Sequence, residues 1–402
     1  MQQFVGRAQT FLGLPIRTGW LPVRAGGDIW YGVFGNQSST KPPLVTIHGG
    51  PGGDSSGLAM SLRALGEERQ VIVYDQLGGG RSRLLANNNN KELWQIERFV
   101  NELRHVLSAL APHGAHLLGH SWGTIPLCEH LLAENSSSYN NVSATFASPV
   151  LNVSAWENDA ARLVQAFPEP HRTSLLQMIE TRTSHDFLFK KSLHQHLTLA
   201  EEDAFHRYGA SLILFYQQHV YGQEQEEHVQ NGQAWKSVLY RWHGQWLDEC
   251  TNEYYRKKEG LVVQSKGVSI GKSPTAGSGA SFLGPAYEAM WGPNEFTQTG
   301  TLKGYDASPR LHQLVGKVPM LFTCGREDIA TPETLALLAM KANAKMAVFE
   351  KSAHAPHRTE RQHYLAVLRT FFNTVENQSG ESSGVISSSE GDNNEGDNNV
   401  SG

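Results

Sequence analysis

Short runs of apolar residues, each ending in a loop rich in glycine, are the feature that most restricts how this chain can fold. Three such runs lie at residues 44–47, 71–74 and 116–118. Between the second and third, residues 93–110 place their apolar side chains on one face of a helix. Strands that are apolar throughout are buried on both faces, and helices between them are typical of a parallel sheet. The pattern therefore predicts an α/β core with helices on both faces.

The N-terminal and C-terminal parts of the chain add to this core. Residues 18–34 read as a hairpin of two strands separated by Gly26-Gly27. From residue 318 the pattern returns, with two further strands, a helix from Pro332 to Ala342 and a closing helix at 360–373. We therefore expect the core to consist of residues 1–150 and 301–375.

The middle of the chain, residues 151–300, has no clear strand. Thr198 and Glu201 form a capping box, which predicts a helix that runs to about Val220. Residues 223–285 are rich in Gln, Gly and Ser and have little periodicity. We therefore predict a helical cap inserted into the core, with an atypical flexible insertion at 223–285.

The charge of the chain is concentrated at its C-terminus. The formal net charge is −5, and residues 376–402 contain six acidic residues and no Lys or Arg. The rest of the chain is close to neutral, which excludes a nucleic-acid-binding protein that acts through bulk basicity. The tail has too few apolar residues to fold. We expect residues 376–402 to be disordered and removal beyond Val375 to leave the activity within a factor of about two.

The same composition bears on location. No window of 18 apolar residues could span a membrane, and the N-terminus lacks the apolar segment of a signal peptide. Three cysteines do not make a disulfide framework. We therefore expect a cytoplasmic protein without membrane or nucleic-acid partners.

A nucleophilic serine in an α/β protein needs a sharp turn between a strand and a helix, which the pattern Gly-x-Ser-x-Gly allows. The pattern occurs four times, centred on Ser55, Ser121, Ser269 and Ser382. Only Ser121 follows an apolar strand and precedes a helix. Ser121 is therefore the predicted nucleophile.

An oxyanion hole needs two backbone N–H groups that point at one position. The residue after the nucleophile, Trp122, would supply one of them. The glycine loop at 48–53 follows an earlier strand and would supply the other. We choose Gly50, because glycine can turn its amide outward at little steric cost.

A histidine base and an acid are expected after the serine, in loops at the ends of later strands. The first loop contains Glu327 and Asp328, and the second contains His354 and His357. The spacing alone leaves both choices open. The histidine would act as general base toward the serine, and the acid would hold its tautomer.

The sequence predicts neither a metal site nor a cofactor site. His354 and His357 lack Cys or His partners at the spacing of zinc ligands. Gly271-Lys272-Ser273 fails as a phosphate loop, because Lys266 stands where the first glycine would be required.

Five segments together resemble the proline iminopeptidase (prolyl aminopeptidase) family of α/β hydrolases. In the core these are His48–Gly52, Tyr74–Ser82 and Gly119–Gly123, and in the cap they are Phe215–His219 and Gly292–Phe296. The last of them resembles the cap of the tricorn-interacting aminopeptidase branch. The resemblance covers about residues 18–222 and 286–374.

The resemblance implies a serine enzyme that releases an N-terminal residue, often proline, from short peptides, or that hydrolyses amino-acid amides. It implies a triad of Ser121, Asp328 and His354, because Asp328 matches the acid in the family's Gly-x-x-Asp-x-x-Thr-Pro segment. It also implies that Glu295 binds the free amine of the substrate. Some members carry a second acid after the triad Asp, where this chain has Ile329.

Two other functions fit the same residues. The triad could act on an ester or amide without a free amine, in which case Glu295 would be a helix-capping or surface residue. The fold could also be a binding scaffold without catalysis, although Ser121, Asp328 and His354 occur in the order of a triad.

Overall fold

A computed structural model describes residues 9–11, 14–23, 27–84, 93–181, 198–222, 285–292, 295–296 and 298–384. In these stretches, ten strands form one sheet. They are β1 (Gln9–Phe11), β2 (Leu14–Val23), β3 (Gly27–Gly35), β4 (Leu44–Ile47), β5 (Gln70–Tyr74), β6 (Arg83–Leu84), β7 (Ala115–His120), β8 (Asn141–Ala147), β9 (Met320–Gly325) and β10 (Lys345–Phe349). Their order across the sheet is β1-β2-β3-β5-β4-β7-β8-β9-β10, and β6 pairs with β3.

The described helices precede or follow these strands in the alternating manner expected of an α/β protein. They are α1 (Ser56–Leu62), α2 (Ile96–Leu110), α3 (Thr124–Leu132), α4 (Val153–Gln165), α5 (His171–Thr181), α6 (Leu199–Tyr216), α7 (Pro285–Met290), α8 (Pro332–Ala342), α9 (Pro356–Thr359) and α10 (Arg361–Gly384).

The predicted parallel sheet and N-terminal hairpin are both confirmed. Strands β5, β4, β7, β8, β9 and β10 pair in parallel, whereas β2 and β3 pair antiparallel. The apolar pattern does not predict strand β8, because Ser143 and Thr145 interrupt it. Both side chains are fully buried in the sheet. A strand can therefore be buried even though its sequence is not apolar throughout.

Helices cover both faces of the sheet, as predicted. Helices α2, α3 and α8 pack on one face through Leu103, Leu127 and Leu335. Helices α1 and α10 pack on the other face through Leu58 and Leu368. Because both faces are covered, all four residues of β4 are buried.

The cap has an apolar core of its own that also includes residues of the α/β core. Helices α4, α6 and α7 contribute Trp156, Phe215 and Tyr287 to this cluster. Trp122 and Ile329 join it from the loops after β7 and β9. The cap therefore packs directly on the loops at the carboxyl ends of the sheet.

The predicted capping box begins helix α6. The backbone N–H of Thr198 donates to Oε2 of Glu201 at 2.8 Å, and the N–H of Glu201 donates to Oγ1 of Thr198 at 3.3 Å. After Tyr216 the chain continues in a π-helical turn, Gln217–Tyr221. The predicted insertion at 223–285 lies outside the described residues, apart from Pro285 at the start of α7.

The expectation that a disordered tail begins at residue 376 is wrong. Helix α10 continues to Gly384, and Glu376 accepts hydrogen bonds from Nη1 of Arg69 at 2.6 Å and Nε2 of His116 at 2.9 Å. Glu376 lies one turn after Phe372, so it is on the face of the helix that packs on the sheet. The buried guanidinium of Arg69 explains why this acid belongs to the folded body. Residues 385–402 lie outside the described part.

We expect Glu376→Ala to lower the free energy of unfolding by about 3 kcal/mol, because it leaves the buried Arg69 without its carboxylate. Burial acts to raise the pKa of Glu376, but the bonds from His116 and Arg69 lower it to about 2. The carboxylate is more acidic in the folded state, so its contribution is complete above about pH 4.3 and is lost as the pH falls toward 2. Urea unfolding at pH 7 and at low pH measures this effect. The exposed neighbour Asn377 provides the control Asn377→Ala. Equal urea midpoints of Glu376→Ala and the wild type at pH 7 would contradict the role of Glu376.

Candidate active site

Four of the predicted site residues lie in loops at one edge of the sheet. Strands β4, β7, β9 and β10 are parallel, so their carboxyl ends point the same way. Gly50 follows β4 and Ser121 follows β7, while Asp328 and His354 follow β9 and β10. Ligands of open α/β sheets bind outside the carboxyl ends of the strands, which makes this edge the candidate site.

Ser121 stands at a strained turn between β7 and α3. Its φ angle is +54°, in the left-handed region that side chains rarely adopt. Residues 121–123 form a short 3₁₀ turn before the helix. A Cβ atom at Gly119 would lie 2.5 Å from the carbonyl oxygen of Gly123, so residue 119 must be glycine for the chain to turn this sharply. This is the strand–turn–helix geometry expected of a nucleophilic serine.

Asp328 and His354 are hydrogen-bonded to each other. Nδ1 of His354 lies 2.7 Å from Oδ1 of Asp328, whose side chain is buried. The neighbouring acid, Glu327, is exposed. The bond to Nδ1 holds the imidazole in the tautomer that leaves Nε2 free to accept a proton. Of the two acids and two histidines that the spacing left open, the structure brings together Asp328 and His354, the pair that the resemblance implied.

His357 is buried but does not contact the acid. Its ring packs against His120 at 4.7 Å and against Tyr364 at 5.9 Å between centroids. Nε2 of His120 donates to the carbonyl oxygen of His354 at 2.8 Å. Because His120 directly precedes Ser121, this bond joins the loop of the serine to the loop of the histidine.

The charge on Asp328 makes His354 a stronger base. Burial by itself lowers the pKa of His354, but the charge and hydrogen bond of Asp328 and the charge of Glu295 raise it above its ordinary value. A carboxylate next to an imidazole stabilises the imidazolium form. His354 is therefore suited to accept a proton from a neighbouring hydroxyl.

The two predicted oxyanion residues lie in loops that are joined through Gln76. Gly50 has φ +130°, a conformation that favours glycine. Nε1 of Trp122 donates to Oε1 of Gln76 at 2.8 Å, and Nε2 of Gln76 donates to the carbonyl oxygen of His48 at 2.8 Å. The backbone N–H of Gln76 also donates to Nε2 of His48 at 2.9 Å. The sequence alone did not indicate this supporting role of Gln76, whose partners are 28 and 46 residues away.

The buried carboxylate of Asp75 stabilises the glycine loop through hydrogen bonds. Oδ1 accepts from the backbone N–H of Ser55 at 2.9 Å, and Oδ2 accepts from Nε of Arg81 at 2.6 Å. Burial acts to raise the pKa of Asp75, but the bond from Arg81 and the charges around it lower it, so the carboxylate is ionised. The guanidinium of Arg81 lies 3.3 Å from the ring centroid of Trp30. Asp75 therefore fixes the loop that contains Gly50.

Glu295 belongs to the cap, and its carboxylate interacts through its charge with His354. The hydroxyl of Tyr287 donates to Oε1 of Glu295 at 2.7 Å. Nε1 of Trp156 donates to the carbonyl oxygen of Glu295 at 3.2 Å, and the ring of Trp156 packs against His354 at 5.4 Å. Burial raises the pKa of Glu295, an effect opposed by the bond from Tyr287 and by the charge of His354. A carboxylate in this setting favours a cationic partner.

Aromatic side chains surround Glu295 on the cap side. The rings of Tyr216 and Tyr221 are 6.0 Å apart, and those of Tyr287 and Trp291 are 6.5 Å apart. Charge interactions with Glu295 raise the pKa of the hydroxyls of Tyr216 and Tyr287 further than burial alone does. The carboxylate thus lies among groups that suit an apolar side chain with a charged end. The sequence did not indicate these aromatic residues as part of the site.

The described residues contain neither a metal-binding cluster nor a membrane-spanning helix. No group of three or more His, Cys, Asp or Glu side chains there could hold a metal ion. No helix within the described ranges is both long and apolar enough to cross a membrane.

Comparison with known proteins assigns the family. A family model of the alpha/beta hydrolase fold matches residues 42–360. The chain is 30% identical over 351 residues to the proline iminopeptidase of Heyndrickxia coagulans, with 87% of this chain and 96% of that protein covered. This chain belongs to the proline iminopeptidase family of α/β hydrolases.

Further comparisons agree with this assignment. The proline iminopeptidase of Clostridioides difficile strain 630 is 26% identical over 363 residues, which cover 90% of this chain and 99% of that protein. Among solved structures, the proline iminopeptidase of Mycobacterium smegmatis has a TM-score of 0.64 at 22% identity, and the comparison covers 90% of this chain and 100% of that one. That structure supports the fold of this member of the family.

Proposed function

We propose that this protein is a serine aminopeptidase that releases an N-terminal residue from short peptides or amino-acid amides. The observation that carries the proposal is the position of Glu295 in the cap: its carboxylate accepts from the hydroxyl of Tyr287 and interacts through its charge with His354, and its backbone carbonyl accepts from Trp156, whose ring packs against His354. An exopeptidase must distinguish the end of a chain from its middle, and the charged α-amine is the group that differs. The names of the relatives support the same activity.

The bond-breaking steps would use Ser121, His354 and Asp328. Nε2 of His354 takes the proton of Ser121 as Oγ attacks the carbonyl carbon of the substrate. The backbone N–H groups of Gly50 and Trp122 then stabilise the oxyanion. His354 then protonates the leaving amine, which leaves an acyl-enzyme that water hydrolyses. Asp328 holds Nδ1–H of His354 and stabilises the imidazolium form; its bond of 2.7 Å to that ring supports this role.

The carboxylate of Glu295 would pair with the substrate's ammonium group. A free α-amine has a pKa of about 8, so it is mostly charged at neutral pH. Burial raises the pKa of Glu295, and a bound ammonium would act in the opposite direction, because it favours the ionised form. The hydroxyl of Tyr287 bonds one carboxylate oxygen and orients the group. The aromatic side chains nearby favour proline or another small, apolar residue next to the amine.

The cytoplasm is the location we propose. The described cysteines, Cys128 and Cys324, are both buried free thiols. Burial raises the pKa of both thiols, which keeps them protonated and unreactive. Such residues fit a reducing compartment.

Glu295→Gln should lower kcat/KM on free-amine substrates. The corresponding rise in activation free energy should be roughly 1.5–3 kcal/mol, the contribution of a hydrogen bond to a charged group. The substitution keeps the shape and removes the charge. Hydrolysis of a small neutral ester should change little, because the bond-breaking residues stay intact. The measurement is the ratio of the two kcat/KM values in wild type and variant. Glu288→Gln, an exposed acid on α7, is the matched control.

An equal fall on both substrates would contradict the role of Glu295. It would favour the second candidate, an ester or amide hydrolase whose substrate has no free amine. Tyr287→Phe refines the test, because it removes only the hydroxyl that orients Glu295. We expect its loss on free-amine substrates to be smaller than that of Glu295→Gln.

The pH dependence of kcat/KM should have an acidic limb above pH 6.5. His354 must be neutral to accept a proton, and its pKa is raised above its ordinary value by Asp328 and Glu295 despite burial. Activity therefore rises as the pH increases through that pKa. A small neutral ester is the substrate for this measurement, because it does not titrate in this range. Full activity that persists below pH 5 would contradict His354 as the base.

A further inference from the structure

One residue of the cap, His219, bonds both peptide groups that flank Asp328. Nδ1 of His219 lies 2.7 Å from the carbonyl oxygen of Glu327. The backbone N–H of Ile329 donates to the carbonyl oxygen of His219 at 3.2 Å. The peptide before Asp328 and the peptide after it are therefore both attached to the same residue of the cap.

The core bonds the two residues of the loop that precede Asp328. The N–H of Arg326 donates to the carbonyl oxygen of Phe349 at 2.8 Å, and the N–H of Glu327 donates to that of Ser352 at 3.0 Å. Apart from its bond to His354, the carboxylate of Asp328 accepts only from the backbone N–H of Ala330, at 2.8 Å, among the described residues. The position of the carboxylate therefore follows the backbone of this loop.

His219 is itself held firmly. Its residue is 2% exposed, and its ring packs against Phe215 at 4.9 Å and Phe167 at 5.8 Å between centroids. Burial lowers the pKa of His219, so the ring is neutral at pH 7 and donates through Nδ1–H to the carbonyl. It lies in the π-helical turn after α6, a local structure that is frequent at functional sites.

A second contact ties the cap to the end of the same loop. Oδ2 of Asp159, on helix α4, accepts from the hydroxyls of Thr331 at 2.8 Å and Thr334 at 2.6 Å. The loop of Asp328 is thus attached to the cap on both sides, by His219 and by Asp159.

We propose that His219 is a positioning residue through which the cap holds the carboxylate of Asp328 in line with His354. The inference rests on the proposed triad. The cap therefore contributes to the bond-breaking step, in addition to carrying Glu295. A displacement of about 1 Å in a reacting geometry can cost on the order of a hundredfold in rate, so the loss of this contact should be measurable.

Loss of the imidazole would also change the titration of His354. The titratable groups that face His354 are Asp328 from the β9 loop, Glu295 from the cap, His120 from the end of β7 and His357 from its own loop. Asp328 raises the pKa of His354. If the carboxylate moves away, this pKa falls, and the acidic limb of kcat/KM moves to lower pH while the plateau decreases.

Three substitutions at His219 separate positioning from packing. His219→Leu removes the donor, His219→Asn keeps an N–H at the place of Nδ1, and His219→Gln moves the N–H one carbon further out. His171 is the control, because it is a cap histidine bonded to Ser211 at 3.0 Å rather than to the Asp328 loop. The kinetics of the full-length protein are measured with an aminoacyl-fluorophore and with a small neutral ester, from pH 5 to 9.

We expect His219→Leu to lower kcat by about tenfold or more on both substrates, with KM within about threefold, and to move the acidic limb to lower pH. His219→Asn should keep kcat and the acidic limb close to those of the wild type. His219→Gln should lose as much activity as His219→Leu, and His171→Leu should behave like the wild type. An unmoved limb, or equal losses in the Asn and Gln variants, would overturn the proposal. If His219→Leu does not fold, the comparison of His219→Asn with His219→Gln tests the proposal by itself.

Failure of this inference is distinguishable from failure of the proposed function. The ester reports on the triad without the amine, so His219 can be tested even if the aminopeptidase activity is absent. If Ser121→Ala remains active, the triad itself is wrong. If Ser121→Ala is inactive and the His219 variants behave like wild type, only the positioning role is wrong.

Discussion

Ser121→Ala should lower kcat/KM by about 10⁴-fold or more without changing the free energy of unfolding. Removal of a triad nucleophile leaves only the contributions of the oxyanion hole and of substrate binding. Alanine keeps the Cβ atom, so the steric cost of the φ angle of +54° at this residue stays the same and gives no reason for the fold to weaken. The measurement combines kinetics on an aminoacyl-fluorophore with urea unfolding of both proteins.

A serine-reactive fluorophosphonate probe provides the control for Ser121. The wild type should be labelled once per chain, and Ser121→Ala should not be labelled. Ser269 is the matched control, because it is centred in the same Gly-x-Ser-x-Gly pattern, and Ser269→Ala should keep both activity and label. More than a tenth of the wild-type activity in a clean Ser121→Ala preparation would show that another residue is the nucleophile.

His354→Ala should cause a loss as large as that of Ser121→Ala, whereas His357→Ala should be mild. The imidazole of His354 is bonded to Asp328 at 2.7 Å, and the ring of His357 packs on His120 away from the acid. Loss of the general base removes most of the rate enhancement of a triad, which is about 10⁴-fold or more. Loss of a buried, neutral ring mainly creates a cavity.

The two variants are compared at a temperature where both are folded. We expect kcat/KM of His357→Ala to stay within about fivefold of the wild type, because His357 makes no contact with Asp328 among the described residues. Similar losses in the two variants would show that the base was assigned to the wrong histidine.

The core of the fold could be predicted from the sequence because its information is local. The apolar strands at 44–47 and 71–74 and the helix Pro332–Ala342 coincide with observed elements. Strand β8 escaped prediction because its polar residues are buried by neighbours distant in sequence. Glu376 was assigned to the tail on charge, although its partners Arg69 and His116 are 307 and 260 residues earlier.

The candidate site also has a part that local sequence predicts and a part that depends on distant contacts. The context of Ser121 is local, since a strand, a turn and a helix are read within a dozen residues. The spacing alone left Glu327 and Asp328 open. The resemblance of the local Gly-x-x-Asp-x-x-Thr-Pro segment implied Asp328, which is the acid that is buried and bonded to His354 in the structure. The contacts of Trp156 with Glu295 and of His219 with Glu327 span 139 and 108 residues. Such contacts bring cap and core together, and only the folded structure makes them visible.

The most direct test of the account is a comparison of a free-amine substrate with its N-acetylated analogue in the wild-type protein. Prolyl- and alanyl-fluorophores are the first substrates, each paired with the acetylated form that keeps the scissile bond and removes the charge. We predict that acetylation lowers kcat/KM by about a hundredfold or more, because it removes the ammonium that Glu295 binds and places an acetyl group against its carboxylate. Equal kcat/KM values for the free and acetylated substrates would contradict an aminopeptidase.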